Sequence, residues 1–139
     1  MTDEISKRNE NGMQTVLRVI PMPADLGIGN SITNGWLLAK LDQAGAVLPS
    51  GHFGKQVVLV NCHAFTIKES VQLGDCVTFQ ALIEQADATG VLVKLHVVAV
   101  NRGDTLQREI VSISMRYEAV KDDEEENGFM AMFRSNLDS

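Results

Sequence analysis

Three stretches in the second half of the chain alternate between apolar and polar residues: Val77, Phe79, Ala81 and Ile83; then Val91, Val93, Leu95, Val97 and Ala99; then Val111, Ile113, Met115 and Tyr117. Successive side chains of a strand point to opposite faces, so a period of two predicts three strands with one dry face and one wet face. The intervening residues, Thr78, Gln80, Glu84, Lys94, His96, Arg108, Ser112, Ser114 and Arg116, supply the wet one. The connections Ala86-Asp-Ala-Thr-Gly90 and Asn101-Arg-Gly-Asp104 are short and contain glycine, as antiparallel hairpins require. A parallel α/β sheet, buried on both faces, does not read this way.

The dry face needs a cover, and the sequence offers one helix. Trp36, Leu37, Leu38, Leu41, Ala44, Gly45 and Leu48 recur at three- and four-residue spacing, with Thr33 or Asn34 placed to cap the start and Pro49 to stop the run. Ahead of it, Gln14 to Ile20 reads as a first strand closed by Met22-Pro-Ala-Asp25. After it, the loop Ser50-Gly-His-Phe-Gly54 leads to a strand from Gln56 to Phe65 that is apolar on both faces. One helix and about five strands give an α+β fold, an antiparallel sheet with the helix on its dry side. A single helix leaves apolar rims, and the two-sided strand needs cover that a second copy of the chain supplies.

With 139 residues and 15.2 kDa, the chain has room for one core and no second domain. It divides into a polar leader (1–12), a body (13–120) and a tail (121–139). The tail opens on the acidic block Asp122 to Glu126 and continues with Gly128-Phe-Met-Ala-Met-Phe133, where Phe129, Met132 and Phe133 share a helical face. That segment either docks or frays. Twelve basic against 18 acidic residues give a net charge of −6, which excludes nucleic acid and anionic membrane as expected partners. No stretch is apolar enough for membrane insertion and the leader has no signal core, so a cytoplasmic location is expected. Cys62 and Cys76 sit in apolar strand-like runs, as buried thiols of a reducing compartment do. His52, His63 and His96 are scattered without metal-ligand spacing, and Ser31 and Ser112 lie in no nucleophile elbow. Neither a metal nor a redox cofactor is expected.

The pattern breaks at Asp42, which falls at helical spacing with Leu38 and Gly45 on the border of the apolar stripe. A carboxylate there loses hydration and gains basicity, as a general base or nucleophile requires; it can equally reach solvent or cap a neighbouring backbone group. A second break is Gly27-Ile-Gly-Asn-Ser-Ile-Thr-Asn-Gly35, a glycine-spaced loop feeding a helix N-terminus. Free N–H groups there suit a developing oxyanion, and Gly35 has no side chain to block a carbonyl. Seven residues, about two turns, separate Gly35 from Asp42, so both lie on one helix face.

Taken together, Met22-Pro-Ala-Asp25, Asn34-Gly-Trp-Leu-Leu-Ala-Lys-Leu-Asp42-Gln-Ala-Gly-Ala46, Phe65-Thr-Ile-Lys68 and Val71-Gln-Leu-Gly-Asp75 make the chain resemble the hotdog-fold acyl-CoA thioester hydrolases, from about Val16 to Val120. The resemblance implies a curled antiparallel sheet wrapped around a central helix, assembled as a homodimer or dimer of dimers, with active sites at the subunit interface. It implies Asp42 as base or nucleophile, the Gly35 N–H as donor to the thioester carbonyl, and coenzyme A only as part of the substrate. It further implies a helper asparagine at Asn30, and substrate contacts at Asn34, Asn61, Lys68 and the hairpin Thr89-Gly90-Val91. Where relatives carry Asn-Gly, this chain has Gly29-Asn30, and their Gly-Gly is here Asn34-Gly35. The retained Asp42 favours the enzyme; the swapped pair favours a non-catalytic acyl-CoA or lipid binder.

Overall fold

A computed structural model of the chain describes residues 12–121. The leader up to residue 11, the acidic block Asp122 to Glu126 and the apolar segment Phe129 to Phe133 lie outside the described residues. Five strands, β1 (Gln14–Val19), β2 (Val57–Ile67), β3 (Asp75–Ala86), β4 (Gly90–Asn101) and β5 (Arg108–Ala119), form one sheet in the order β1-β3-β4-β5-β2. Every neighbouring pair is antiparallel. The register lines up one inner-face row across the whole sheet, Leu17, Phe79, Val97, Val111 and Ile67. Its three central members are fully buried. Each such side chain stabilises the fold by roughly 1.5–3 kcal/mol.

Two consecutive helices, α1 (Asn34–Gly45) and α2 (Val47–Phe53), lie on this face. Helix α1 buries Leu37, Leu41, Ala44 and Gly45 in the core, while Trp36 is half-buried and Leu38 exposed. The apolar stripe is thus wider than the sheet covers. Pro49 does not stop the run, contrary to the expectation from sequence. The helix breaks earlier, at Ala46, and Pro49 sits buried within the first turn of α2, where its missing N–H has no intrahelical partner to lose. The segment read as the loop Ser50 to Gly54 is therefore helical as far as Phe53, and Gly54 ends it in the left-handed conformation at φ 67°.

Among the described residues strand β2 is an edge strand, paired only to β5, and beyond Val57 all its residues are exposed. Val58, Val60, Phe65 and Ile67 thus stand open to solvent in the single chain. This corrects the expectation for the cysteines: Cys62, on β2, is exposed, and only Cys76, on β3, is partly covered. The strand also breaks its alternation twice, between Leu59 and Asn61 and between His63 and Thr66, and Ala64 takes a φ of 53° at the second break.

Candidate active site

Thr33 caps α1, its hydroxyl accepting from the Trp36 N–H at 3.2 Å. The N–H groups of Asn34 and Gly35 just before it have no hydrogen-bond partner among the described residues. A Cβ built on Gly35 would meet nothing within 4 Å, so the approach to that N–H is open.

The loop before the helix is fixed by its neighbours. Thr33 N–H donates to the Asp25 carbonyl at 3.1 Å, and the Asp25 carboxylate accepts from the Met22 N–H at 2.8 Å. Ile32 N–H donates to the Val71 carbonyl at 2.8 Å, and Leu73 N–H to the Asn30 carbonyl at 3.1 Å. The second segment is itself anchored by Asp75, fully buried, which accepts from the Gln72 N–H, the Asn101 amide and the Arg108 guanidinium. Burial alone raises the pKa of that carboxyl; the hydrogen bonds from Arg108, Gln72 and Asn101 outweigh it and hold the pKa below its ordinary value. Two of the motifs quoted above, Met22 to Asp25 and Val71 to Asp75, therefore serve to place the N-terminus of α1.

Two turns further on, Asp42 is exposed in the single chain, so the loss of hydration expected from its place on the stripe is not supplied by its own chain. The Tyr117 hydroxyl, from the end of β5, lies 2.9 Å from Asp42 Oδ1 and 3.0 Å from the Asp42 carbonyl oxygen. Burial first, and then the bond to Asp42, push the phenol far above its ordinary range, so it stays a proton donor. Gly45 makes room for the ring: a Cβ there would stand 2.5 Å from the Tyr117 hydroxyl. Cys62 pairs with Met115 across β2 and β5, which turns its thiol to the same face; desolvation and then the Asp42 charge push the thiol up, so it is a poor nucleophile. Tyr117, Gly45 and Cys62 were not singled out as site residues from the sequence. A phenol closing an inward-facing apolar series, opposite a glycine inside a helix, was the available signal.

The remaining expected contacts divide. Asn30 and Asn34 flank the start of α1 and are exposed. Asn61 pairs with Arg116 and His63 with Ser114, the outer face of the sheet, so neither faces Asp42. Thr89 and Gly90 are engaged in their own turn, where Asp87 accepts from both N–H groups and from the Thr89 hydroxyl. Those bonds, with Arg116 behind them, hold the Asp87 carboxyl down at about 2. Gly90 lies against the Arg116 guanidinium, where a Cβ would come within 2.6 Å of it, and Val91 is fully buried, so its side chain cannot touch a ligand. Lys68 pairs with Glu109 at 2.9 Å and its N–H donates to the Ile110 carbonyl, whereas Gly90 stands beside Glu118; eight residues of β5, about 26 Å, separate them. One chain therefore does not bring Lys68 and the hairpin to a common site. An open groove of about 850 Å³ lined by Phe53, Lys55, Val58, Thr89 and Glu118 adjoins the hairpin.

No family model matches the sequence. The chain is 34% identical over 82 residues to the acyl-CoA thioester hydrolase YciA of Escherichia coli, a match covering 59% of this chain and 62% of that protein. It is 33% identical over 82 residues to an uncharacterized acyl-CoA thioester hydrolase of Buchnera aphidicola, covering 59% and 61%. The chain thus spans about three fifths of the length of these curated relatives. Among solved structures it is similar to a hexameric thioesterase from Yersinia pestis, with a TM-score of 0.75, 25% identity, and 79% and 89% of the two chains covered. A hexameric hotdog fold thioesterase of Campylobacter jejuni gives 0.74, 25%, 83% and 88%. The fold is the hotdog fold, and the likeness to its thioesterase superfamily read from the sequence is supported by both comparisons.

Proposed function

We propose that this chain is an acyl-CoA thioester hydrolase, releasing free CoA and a carboxylic acid. One observation carries the reading: α1 presents at its start two N–H groups without partners among the described residues and, on the same face about 10 Å along, an exposed carboxylate. The first can receive a carbonyl oxygen as it becomes an oxyanion; the second can take a proton. In this reading the thioester carbonyl accepts from the Gly35 N–H while Asp42 removes a proton from the attacking water. The tetrahedral intermediate then collapses with cleavage of the C–S bond, and the CoA thiolate recovers the proton. Direct attack by Asp42, with water hydrolysing the resulting anhydride, uses the same two groups. No metal or redox cofactor is needed for either route.

About 10 Å is long for one carbonyl to touch both groups of a single chain, and the exposed edge at β2 offers a remedy. A second copy seated on β2 covers Val58, Val60 and Phe65, removes water from Asp42, and brings its own helix to the site. We therefore read the smallest working unit as a homodimer. The Yersinia and Campylobacter structures are hexameric, which supports further assembly of such units. A cytoplasmic location is part of the same reading; among the described residues no helix is long and apolar enough to cross a membrane.

The test is a turnover screen across acyl-CoA chain lengths, following free thiol, on the parent and on Asp42→Asn. A positioned base contributes roughly 100- to 10,000-fold, so hydrolysis should fall by at least about the lower figure while a non-hydrolysable acyl-CoA analogue still binds. Parental turnover in Asp42→Asn removes that residue from the chemistry. Tight acyl-CoA binding by a parent that releases no thiol makes the protein a carrier or sensor, with Gly29-Asn30 the first place to look for the cause.

A further inference from the structure

Asp42 is attached to a helix at a point where its carboxylate is open to water, yet a base must present one oxygen to the reacting water in a fixed direction. The Tyr117 hydroxyl supplies what the helix does not. It lies within hydrogen-bond distance of both the carboxylate Oδ1 and the main-chain carbonyl of the same residue, so it ties the side chain to its own backbone. Oδ2 has no partner among the described residues.

The geometry points to Tyr117 as the positioning residue of the site: its hydroxyl holds Oδ1 of Asp42 and leaves Oδ2 to meet the water or the substrate carbonyl. This rests on the reading of Asp42 as base or nucleophile and adds to it a residue that never touches the substrate. The phenol is fully buried, its hydroxyl is seated against the bare Cα of Gly45, and β5 fixes its backbone in the ladder with β4 and β2. A hydroxyl clamped on three sides can restrain a carboxylate that is itself exposed. It also remains protonated: burial and the neighbouring carboxylate both oppose loss of its proton, so the proton taken from water resides on Asp42 and the phenol's own stays on its oxygen. Where Asp42 O already accepts from the Ala46 N–H at 3.2 Å, the phenol has the stronger claim on the charged Oδ1.

The chain contains a single tyrosine, so two measurements isolate it. The first is kinetic. Tyr117→Phe should lower kcat about 10-fold, the order expected for losing one hydrogen bond to a charged group, with KM unchanged because the residue does not meet substrate. Added to Asp42→Asn, the same change should cost the residual rate nothing. Parental kcat in Tyr117→Phe, or an equal loss in both backgrounds, overturns the positioning role while leaving Asp42 in place; parental turnover in Asp42→Asn overturns the base and not the contact. The second measurement needs neither turnover nor a phenylalanine variant that folds. In protein grown with 3-fluorotyrosine, the one fluorine resonance should differ between the parent and Asp42→Asn, where the phenol loses its charged acceptor. A resonance that is the same in the parent and in Asp42→Asn overturns the inference.

Discussion

Arg108, at the start of β5, holds both carboxylate oxygens of the fully buried Asp75, at the start of β3, with contacts of 3.1 and 2.9 Å. The pair does not face the site. It fixes the turn from Gln72 to Asp75; Val71 just before that turn and Leu73 within it hold the loop that delivers Gly35. The Gly-Asp of the sequence motif is thus a structural pin two contacts removed from the chemistry.

Breaking that pin by Asp75→Asn leaves a guanidinium with Glu69 as its remaining carboxylate. The expected loss is about 3 kcal/mol, the lower end for a broken buried pair, because Arg108 is partly open to water. The pH dependence follows from the same contact. The folded-state carboxyl lies below its ordinary value of 3.8, so the stability it contributes is fully present above that value and is lost as pH falls through the folded one. Denaturation midpoints taken from about pH 5 downward should fall for the parent and fall less for Asp75→Asn. Parallel curves would show that the pair is not the acid-sensitive element.

Gly45 and Tyr117 make a second pair whose test has the opposite sign from the usual rule. Alanine for glycine inside a helix ordinarily stabilises by about 1 kcal/mol. Here the added Cβ stands 2.5 Å from the Tyr117 hydroxyl and 3.0 Å from its ring, and overpacking of this kind costs about 1–3 kcal/mol. Gly45→Ala should therefore lower the melting temperature and, by displacing the phenol, slow turnover. A raised melting temperature would mean that the ring has room to move aside.

The edge strand carries the third expectation. Val60 and Phe65 are large, exposed and on a strand with one side unpaired among the described residues. Lysine at such an edge blocks pairing and repels a second lysine across a twofold axis. The double variant Val60→Lys, Phe65→Lys should run as a folded monomer in light scattering, with thiol release reduced by at least about 10-fold if the site needs its partner to exclude water from the base. Unchanged assembly would place the interface elsewhere.

How far the sequence could be read depended on whether one face of each element was dry. In β3, β4 and β5 it was, and period two located them; the same logic found the buried face of α1 in Leu37, Leu41 and Ala44. It failed for β2, where two irregularities shift the register against β5, so counting by twos from Phe65 to His63 to Asn61 does not say which side chain faces the helix. Cys62 does, and Asn61 does not. Pro49 misled because a proline in a first turn and a proline that ends a helix look alike until the break at Ala46 is seen. Gly35 and Asp42 were legible because helical spacing is rigid over two turns. Tyr117 was hidden because its partner lies 75 residues away in the chain.

Gly35 provides the test that separates folding from chemistry. A Cβ at this position meets nothing within 4 Å, and its φ is not in the left-handed region, so Gly35→Ala introduces no clash within the chain. Alanine also restricts the unfolded chain, so stability should stay level or rise by about 0.4–1 kcal/mol. Turnover should move the other way. If the carbonyl of a thioester must come against the Gly35 N–H, a methyl group beside that N–H holds it off, and loss of one oxyanion donor costs about 100- to 1000-fold in kcat. The same substitution at Gly45 should damage both properties, so the contrast is internal to one helix. A Gly35→Ala protein that melts at or above the parental temperature and has lost its thiol release identifies the N–H as part of the chemistry. Parental turnover in that variant would move the oxyanion donor away from the start of α1.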